Sequence, residues 1–339
     1  MSATEHRRNS LTRRFARSFS QAIAFATLVA IVVGVSAYIQ ETRIWEEERA
    51  ERKADGVNRA WSIITTHAPG NSGKGPAIEF LSKQGVPLTG IDLSCKTMGG
   101  GWDEAQLRCQ TPTYLSPVNL TGAVMEGSSL EGVNLKNSNI SNTDLEGTGF
   151  SGSTLDFSDL TMVYGYRADF QRASLRYIIA ERANFHRAKF SRADLTRANL
   201  FGAGLEDAQL DKAVLARADL RSTVLEDANL RHSRLNGADL SNAWLYDASF
   251  AEANLSSARL VGAYVEDAYF GRANVSGADF SNTKELGLAI FPTDPENSAW
   301  AYSGNPPVGL SPHQYVLCDK RGFGSLQVLN PCREKAADP

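Results

Sequence analysis

The chain has 339 residues, of which 42% are hydrophobic, 9% aromatic and 22% charged. This composition is typical of globular proteins, and it excludes a wholly disordered chain, a collagen-like chain and a multi-span membrane protein. The 35 basic and 38 acidic residues give a formal net charge of -3, so the chain as a whole has no general attraction for nucleic acid or for an acidic partner. Four cysteines are too few for a disulfide-rich scaffold.

The amino-terminal segment predicts a transmembrane helix. The residues from Ser18 to Gln40 include no charged side chain, and a stretch of this length is enough for an α-helix to cross a bilayer. We therefore predict a transmembrane helix over residues 18–40, preceded by a basic tail over residues 1–17.

The arginines around this segment predict its orientation. The tail contains five arginines, whereas on the other side only Arg43 lies close to the segment, so the positive-inside rule favours a cytoplasmic tail. The prediction is a single-pass protein of the bacterial inner membrane, with the bulk of the chain in the periplasm. A cleaved signal peptide is the alternative, because Val35-Ser36-Ala37 resembles a cleavage site, although the apolar run is longer than that of most signal peptides.

Residues 41–66 predict a helical stalk, because they are rich in Glu, Arg and Ala. Apolar residues recur there at the 4-3-4-3 spacing of a coiled-coil seam, namely Ala50, Ala54, Val57, Trp61 and Ile64. The seam allows a homodimer, but it covers barely two heptads and contains Gly56, so a single helix that packs this stripe on the next domain is the favoured interpretation. Residues 67–112 are predicted to form a junction and an amino-terminal cap, with a short helix over residues 77–83.

A five-residue repeat occupies about half of the chain. Every fifth residue from Leu115 to Phe280 gives 34 positions, of which all but Gly165 and Ala180 are Leu, Phe, Ile, Val or Met. The residue two positions earlier is small, mostly Ala from residue 168 onward, and the residue between is often Asp or Asn. Neither an α-helix nor a plain β-strand has a period of five.

These triplets, such as Ala193-Asp194-Leu195, resemble the A(D/N)LXX consensus of the pentapeptide-repeat family. The resemblance implies an all-β repeat domain over residues 113–285, folded as a right-handed quadrilateral parallel β-helix. Four pentapeptides make one coil, and the large residue and the small residue two positions before it point inward. The complete predicted fold is this solenoid preceded by the transmembrane α-helix and the helical stalk.

Departures from the consensus follow the volume available inside such a coil. Ile178 is large where Ala is expected, and Ala180 is then small where Leu is expected. Gly165 leaves space, and Phe185 follows one coil of 20 residues later. The same period predicts two columns of stacked rings, one of Phe150, Phe170 and Phe190 and one of Phe250 and Phe270.

The four cysteines lie in the segments predicted to cap the solenoid, since residues 286–339 are predicted to form a carboxyl-terminal cap. A solenoid of this length is roughly 40 Å long at about 4.8 Å per coil, whereas a disulfide needs Cα atoms within about 7 Å of each other. We therefore predict the local pairs Cys95–Cys109 and Cys318–Cys332. Disulfides persist outside the cytoplasm, and four reduced, buried thiols are the alternative.

Two sets of charged residues recur at the period of 20 and are the candidate binding residues. An acidic ladder contains Glu206, Asp207, Glu226, Asp227, Asp247, Glu266 and Asp267, and Arg167 and Arg187 continue its column with the opposite sign. Two basic columns contain Arg172, Arg192 and Lys212, and Arg197 and Arg217. The ladder suggests cations or a basic partner, and the basic columns suggest a protein or an anionic polymer. Simply solvated faces are the alternative in both cases.

The sequence predicts a non-enzymatic interaction module, because it contains no catalytic motif, no metal-ligand spacing and no cofactor motif. The expected partners are the membrane and an unknown protein or envelope polymer, and nucleic acid is not expected. Some pentapeptide-repeat proteins resemble a DNA duplex and bind DNA gyrase, which is the alternative function. However, residues 113–285 contain 22 acids and 17 bases, so their net charge of 17 − 22 = −5 is mild for such a mimic. A less favoured enzymatic interpretation places a pocket near Trp300, Tyr302, His313 and Asp319.

Overall fold

The computed structural model describes residues 3–286 and residue 289, with side chains described from residue 21 onward. The chain divides into two units, and the boundary between them in the sequence lies between Arg59 and Ala60. The predicted carboxyl-terminal cap lies outside the described residues, apart from residues 286 and 289. The predicted Cys318–Cys332 pair and the residues of the enzymatic interpretation lie outside them as well.

Helix α1 runs from Ala3 to Thr65 without interruption. It therefore passes through the predicted tail, transmembrane helix and stalk. In the described part, α1 is long and apolar enough to cross a membrane, because its most apolar window has a mean hydropathy of 2.4 and none of that window is buried. A signal sequence near an amino terminus has the same character.

A buried lysine joins α1 to the second helix, α2 (Lys74–Lys83), which contains the predicted short helix. The Lys74 side chain is fully buried. Its ammonium group donates hydrogen bonds to the carbonyl oxygens of Ile63 at 3.1 Å and Thr66 at 2.5 Å. These carbonyls lie at the end of α1, where a cation is favourable, and burial lowers the pKa of Lys74. Ile64, the last residue of the apolar stripe, is also buried, which agrees with the single-helix interpretation at this one position.

The solenoid consists of coils of 20 residues joined by parallel β-bridges. The bridges run from Tyr114↔Asn134 to Tyr264↔Lys284, always between residues 20 apart. Each pentapeptide supplies three extended residues and a two-residue turn, so a coil has four sides. The large residue of each unit is buried along the whole repeat. The right-handed quadrilateral β-helix predicted from the repeat is therefore confirmed.

Side chains inside the coils obey the volume rule expected from the sequence. A Cβ atom on Gly165 would lie 2.8 Å from the Cδ1 atom of Phe185, so the ring occupies the space that a side chain at residue 165 would need. Phe170 stacks between Phe150 and Phe190, with ring centroids 4.9 Å and 5.0 Å away. The second predicted column, Phe250 on Phe270, is stacked at 5.0 Å.

The corners of the coils require a left-handed backbone. The second residue of almost every turn has a φ of about +55° to +70°, and glycine accepts this conformation most readily. Arginine occupies all four corners of the coil over residues 180–199, at Arg182, Arg187, Arg192 and Arg197. The backbone N–H of a corner residue donates to the next coil, as Arg192 does to the Asp211 carbonyl at 3.0 Å. These bonds hold the corner whatever its side chain.

The amino-terminal cap adds a partial coil before the first repeat. The N–H groups of Leu88 and Leu93 donate to the carbonyls of Val124 and Ser129 at 2.8 Å, and both leucine side chains are fully buried. This segment satisfies backbone groups at an edge that would otherwise be open for pairing.

A disulfide-linked hairpin completes the cap. Strands β1 (Trp102–Asp103) and β2 (Arg108–Cys109) pair antiparallel, and the predicted Cys95–Cys109 disulfide is present. A Cβ atom on Gly132 would lie 2.7 Å from the Cβ atom of Cys109 and 3.0 Å from the Trp102 ring. The hairpin therefore packs against a corner on the side of the coils.

Candidate binding faces

The acidic ladder occupies the two turn positions of one corner on successive coils, which we call the acidic corner. Among the described residues, the ladder member with an ion pair is Asp207, whose carboxylate lies 3.1 Å from Arg187 Nε and 3.9 Å from His186 Nε2. Burial raises the pKa of Asp247, and the charges of Asp227 and Asp267 raise it further. Like charges therefore repel one another toward the carboxyl-terminal end of the ladder.

Glu266 shows the same repulsion near the end of the ladder. Its pKa is raised chiefly by a hydrogen bond with Glu285, then by the charge of that residue and, less strongly, by burial and by Asp267 and Asp247. Protonation of one carboxyl in such a group relieves the repulsion.

We expect Asp247→Asn to stabilise the solenoid at pH 7, by about 0.5 kcal/mol, which is the scale of exposed charge pairs. A carboxyl whose pKa is higher in the folded state contributes stability at low pH that is lost as pH rises through that pKa. The advantage of the variant should therefore vanish below about pH 4, near the ordinary pKa of Asp. Urea denaturation at pH 3 and pH 7 measures it.

Asp207→Asn is the matched control on the same corner. Both residues have a positive φ, which asparagine accepts, but Asp207 has the Arg187 partner. We expect this variant to lose about 0.5 kcal/mol at pH 7. Equal changes in the free energy of unfolding for Asp247→Asn and Asp207→Asn would contradict the assignment of repulsion to the carboxyl-terminal part of the ladder.

The two basic columns border the same face of the solenoid. Arg172, Arg192 and Lys212 lie at the corner before this face, and Arg197 and Arg217 lie at the corner after it. We call the intervening strands, at residues 173–175, 193–195 and 213–215, the basic face. Except for the half-buried Arg172, these five side chains are exposed.

The cations of the basic face are largely free of ion pairs. Within the described part of the chain, no carboxylate oxygen lies within 4.0 Å of the charged groups of Arg172, Arg192, Lys212 or Arg217. Arg197 packs over the Tyr177 ring at 5.6 Å. Exposed cations without local carboxylates keep their field available to a ligand.

Sequence reasoning recognised the columns but missed their relation to one another. By residue number, the basic columns lie in the middle of the solenoid and the acidic ladder toward its carboxyl end. The order of corners along each coil separates the charges around the cross-section as well, since the acidic corner is two corners away from the Arg197 column. Arg182 was also missed, although arginines at every fifth residue from 182 to 197 were a visible signal.

A shallow cleft of about 500 Å³ lies on the face opposite the basic face. Its floor is Gly204, and Tyr164 and Val224 lie on either side of it along the solenoid. The carboxylate of Glu206 leans over the floor, because a Cβ atom on Gly204 would lie 2.8 Å from Glu206 Oε2. Sequence reasoning did not single out this cleft, although Gly204 interrupts a column of larger outward residues.

Aromatic residues border the cleft and continue beyond it on the same face. The Tyr166 ring stacks on His186 at 5.4 Å, and the Tyr166 hydroxyl lies 3.5 Å from Arg187 Nη1. Trp244 is 49% exposed two coils beyond Gly204.

In the described ranges, no group of three or more His, Cys, Asp or Glu side chains is arranged to hold a metal ion.

Comparison with known proteins agrees with the repeat. The family model described as pentapeptide repeats matches in eight copies, over residues 113–152, 168–207, 181–215, 203–242, 213–251 and 248–284. No curated protein matches the chain.

Solved structures of other repeat proteins are also similar. HetL, a pentapeptide-repeat protein involved in heterocyst differentiation regulation in the cyanobacterium Nostoc sp. strain PCC 7120, is 28% identical over 55% of this chain and 90% of its own, with a TM-score of 0.36. Trypsin-treated QnrB1, a plasmid-mediated fluoroquinolone resistance protein, is 16% identical over 60% of this chain and 99% of its own, with a TM-score of 0.31. A thylakoid-lumen protein of Arabidopsis thaliana is 29% identical over 28% and 68%, with a TM-score of 0.23.

The family match begins at residue 113 and ends at residue 284, which are nearly the limits of the bridged coils. The five-residue period, the buried inward columns and the family match agree with one another. The chain belongs to the pentapeptide-repeat family.

Proposed function

We propose that this protein is a non-enzymatic interaction module, anchored in a membrane by α1, whose solenoid presents charged faces to a protein or an envelope polymer. The observation that carries the proposal is the combination of an exposed, strongly apolar helix with a solenoid whose basic-face cations, among the described residues, lack ion pairs. An exposed apolar helix of this length is stabilised by a bilayer, and unpaired surface cations attract an anionic partner.

The basic corners also weigh against the alternative of a DNA mimic. A protein that imitates a duplex needs a surface of regularly spaced negative charge, because phosphates dominate the electrostatics of DNA. Here arginine occupies four successive corners of one coil, at residues 182, 187, 192 and 197. These positive charges would repel an enzyme surface that binds DNA.

Topology is the first test of the proposal. Alkaline phosphatase, which needs oxidising conditions, is fused to the carboxyl terminus, and a fluorescent protein that matures only in the cytoplasm is used in a parallel fusion. We expect phosphatase activity without fluorescence, and we expect the intact protein in the membrane fraction. Fluorescence with inactive phosphatase would contradict the proposed location. A soluble protein with the mass expected after cleavage near Ala37 would contradict the anchor.

Paired variants separate anchoring from a general effect of added charge. Val29→Arg with Val32→Arg puts two charges into the centre of the span, each at a cost of about 3 kcal/mol. We expect this double variant to leave the membrane fraction. Ala50→Arg with Ala54→Arg adds the same charge outside the predicted span, and this variant should remain in the membrane fraction. Retention of both variants in the membrane would contradict the role of residues 18–40.

A further inference from the structure

The two basic columns that border the basic face, which we call its rails, define a narrow, straight surface. Arg172, Arg192 and Lys212 follow one another at the same corner of three successive coils, so neighbouring backbones in this rail are about 4.8 Å apart. Three extended residues separate this corner from the next, which makes the face roughly 10 Å wide. A surface of these proportions fits one extended polymer chain that runs along the solenoid.

Both ends of the longer rail are defined by neighbouring structure. Before Arg172, the same corner column contains Gly132 and Gly152, and the disulfide-linked hairpin lies against both of them. After Lys212, the column continues with His232 and Glu252, which contact each other at 3.3 Å. The cationic part of the rail therefore spans three coils between a physical border and a change of charge.

The floor between the rails is formed by three small outward residues, of which the two polar ones are hydrogen-bonded to neighbouring side chains or backbone. The Asp194 carboxylate accepts hydrogen bonds from the backbone N–H of Thr196 at 3.0 Å and from the Thr196 hydroxyl at 2.5 Å. The Ser174 hydroxyl donates to Asp156 at 2.5 Å. Val214 is the third outward residue of the floor. The floor thus leaves recognition to the rails.

The basic face also lacks a free aromatic platform of the kind that single-stranded nucleic acids use. Tyr177, at the border of the face, stacks on Phe157 at 4.9 Å and has Arg197 over its ring at 5.6 Å. Neighbouring side chains therefore occupy the ring surface on which a base would stack. Binding of unpaired bases depends on such stacking, so a polymer without bases fits better.

We propose that the basic face binds a linear, phosphate-bearing polymer without bases, seated between the two rails. This inference rests on the proposed function and names the class of its partner. Guanidinium groups suit phosphate because they donate two parallel hydrogen bonds to its oxygens. Four of the five rail residues are arginines, which supply such groups at the spacing of the coils, and no carboxylate of the described residues lies within ion-pair distance of Arg192.

The test compares two double variants of the full chain in nanodiscs of uncharged lipid. Arg192→Asn with Arg197→Asn removes one cation from each rail, and Arg167→Asn with Arg182→Asn removes two cations elsewhere. All four residues have a positive φ of 54° to 61°, which asparagine accepts. Each pair also loses one cation–π contact, since Arg167 lies over Tyr166 as Arg197 lies over Tyr177. Thermal melts confirm that both variants fold.

Inorganic polyphosphate of one chain length is the probe, titrated at several NaCl concentrations. We expect the wild-type protein to bind it, the rail variant to bind about tenfold or more weakly, and the control variant to bind nearly as well as the wild type. Since each phosphate contact releases about 0.7 counterion for a single strand, the slope of log K against log salt should fall by about 1.4 in the rail variant.

Three results would overturn the inference. They are absence of polyphosphate binding, an equal loss in both variants, or tighter binding of single-stranded DNA of equal charge, which would assign the face to nucleic acid. The topology fusions are independent of this titration. A cytoplasmic solenoid that binds polyphosphate through the rails would refute the proposed location alone, and a periplasmic solenoid that does not bind would refute the polymer alone.

Discussion

Replacement of Gly165 by leucine is expected to destabilise the solenoid by about 1–3 kcal/mol or more, although leucine is the consensus residue at that position. The reason is the Phe185 ring, which would lie 2.8 Å from a Cβ atom at residue 165. The carbonyl oxygen of Asn184 would lie 3.3 Å from the same atom. Because coil interiors are close-packed, neither neighbour has free volume into which it can move. Urea denaturation and thermal melting measure the loss.

A double-mutant cycle isolates the contribution of the ring. Gly165→Ala is compared in the wild type and in a Phe185→Leu background, where the smaller side chain leaves space. We expect the alanine to destabilise the wild type and to be neutral or stabilising in the second background, with an interaction free energy of about 1–3 kcal/mol. Equal effects in both backgrounds would show that the Asn184 carbonyl, and not the ring, excludes a side chain at residue 165.

Removal of the Cys95–Cys109 disulfide should destabilise the amino-terminal cap by about 3 kcal/mol. The two cysteines are 14 residues apart, and closing a loop of about this length restricts the unfolded chain by that amount in the chain-entropy model. We expect Cys95→Ala with Cys109→Ala to increase hydrogen exchange at Gly132 and Gly152, on which the hairpin packs. The amides of the coils near residue 250 should change little.

Reduction of the disulfides provides the control for this pair. A reductant should reproduce the effect of the double variant on the cap of the wild-type protein, and it should have no further effect on the cap of the variant. An unchanged exchange rate at Gly132 in the variant would contradict the stabilising role of the hairpin. Any remaining effect of reductant near the carboxyl terminus of the variant would test the predicted Cys318–Cys332 pair separately.

The repeat could be predicted from the sequence because its period is a direct consequence of coil geometry. A five-residue alternation of small and large residues matches neither a helix nor a strand, and even its exceptions were informative. The Phe185 ring fills the space that the missing side chain of Gly165 leaves one coil earlier. The phenylalanine columns stack as expected. In a solenoid, sequence separation translates into distance in a simple way, so local patterns predict long-range contacts.

The remaining features depend on contacts that do not follow the period. The position of the hairpin against Gly132 depends on a non-repeating segment, in which no pattern predicts the direction of the chain. Lys74 precedes the short helix predicted over residues 77–83, and only the fold brings its ammonium group to the end of α1. The basic face could have been predicted, because corners five residues apart border one face, but the columns were considered separately. Prediction of the cleft at Gly204 also required a comparison of neighbouring columns.

The ladder of bridges between residues 20 apart has a consequence for how the molecule opens. Among the described residues, the backbone bridges join each coil to the coil before it and the coil after it, so stability is approximately a sum of neighbouring interfaces along one dimension. The upper coils carry the repulsion between Asp227, Asp247 and Asp267, whereas the basic face lies on earlier coils. We therefore expect fluctuations to open the acidic coils more readily than the coils that carry the rails. Loss of structure in the acidic coils would then leave the basic face intact.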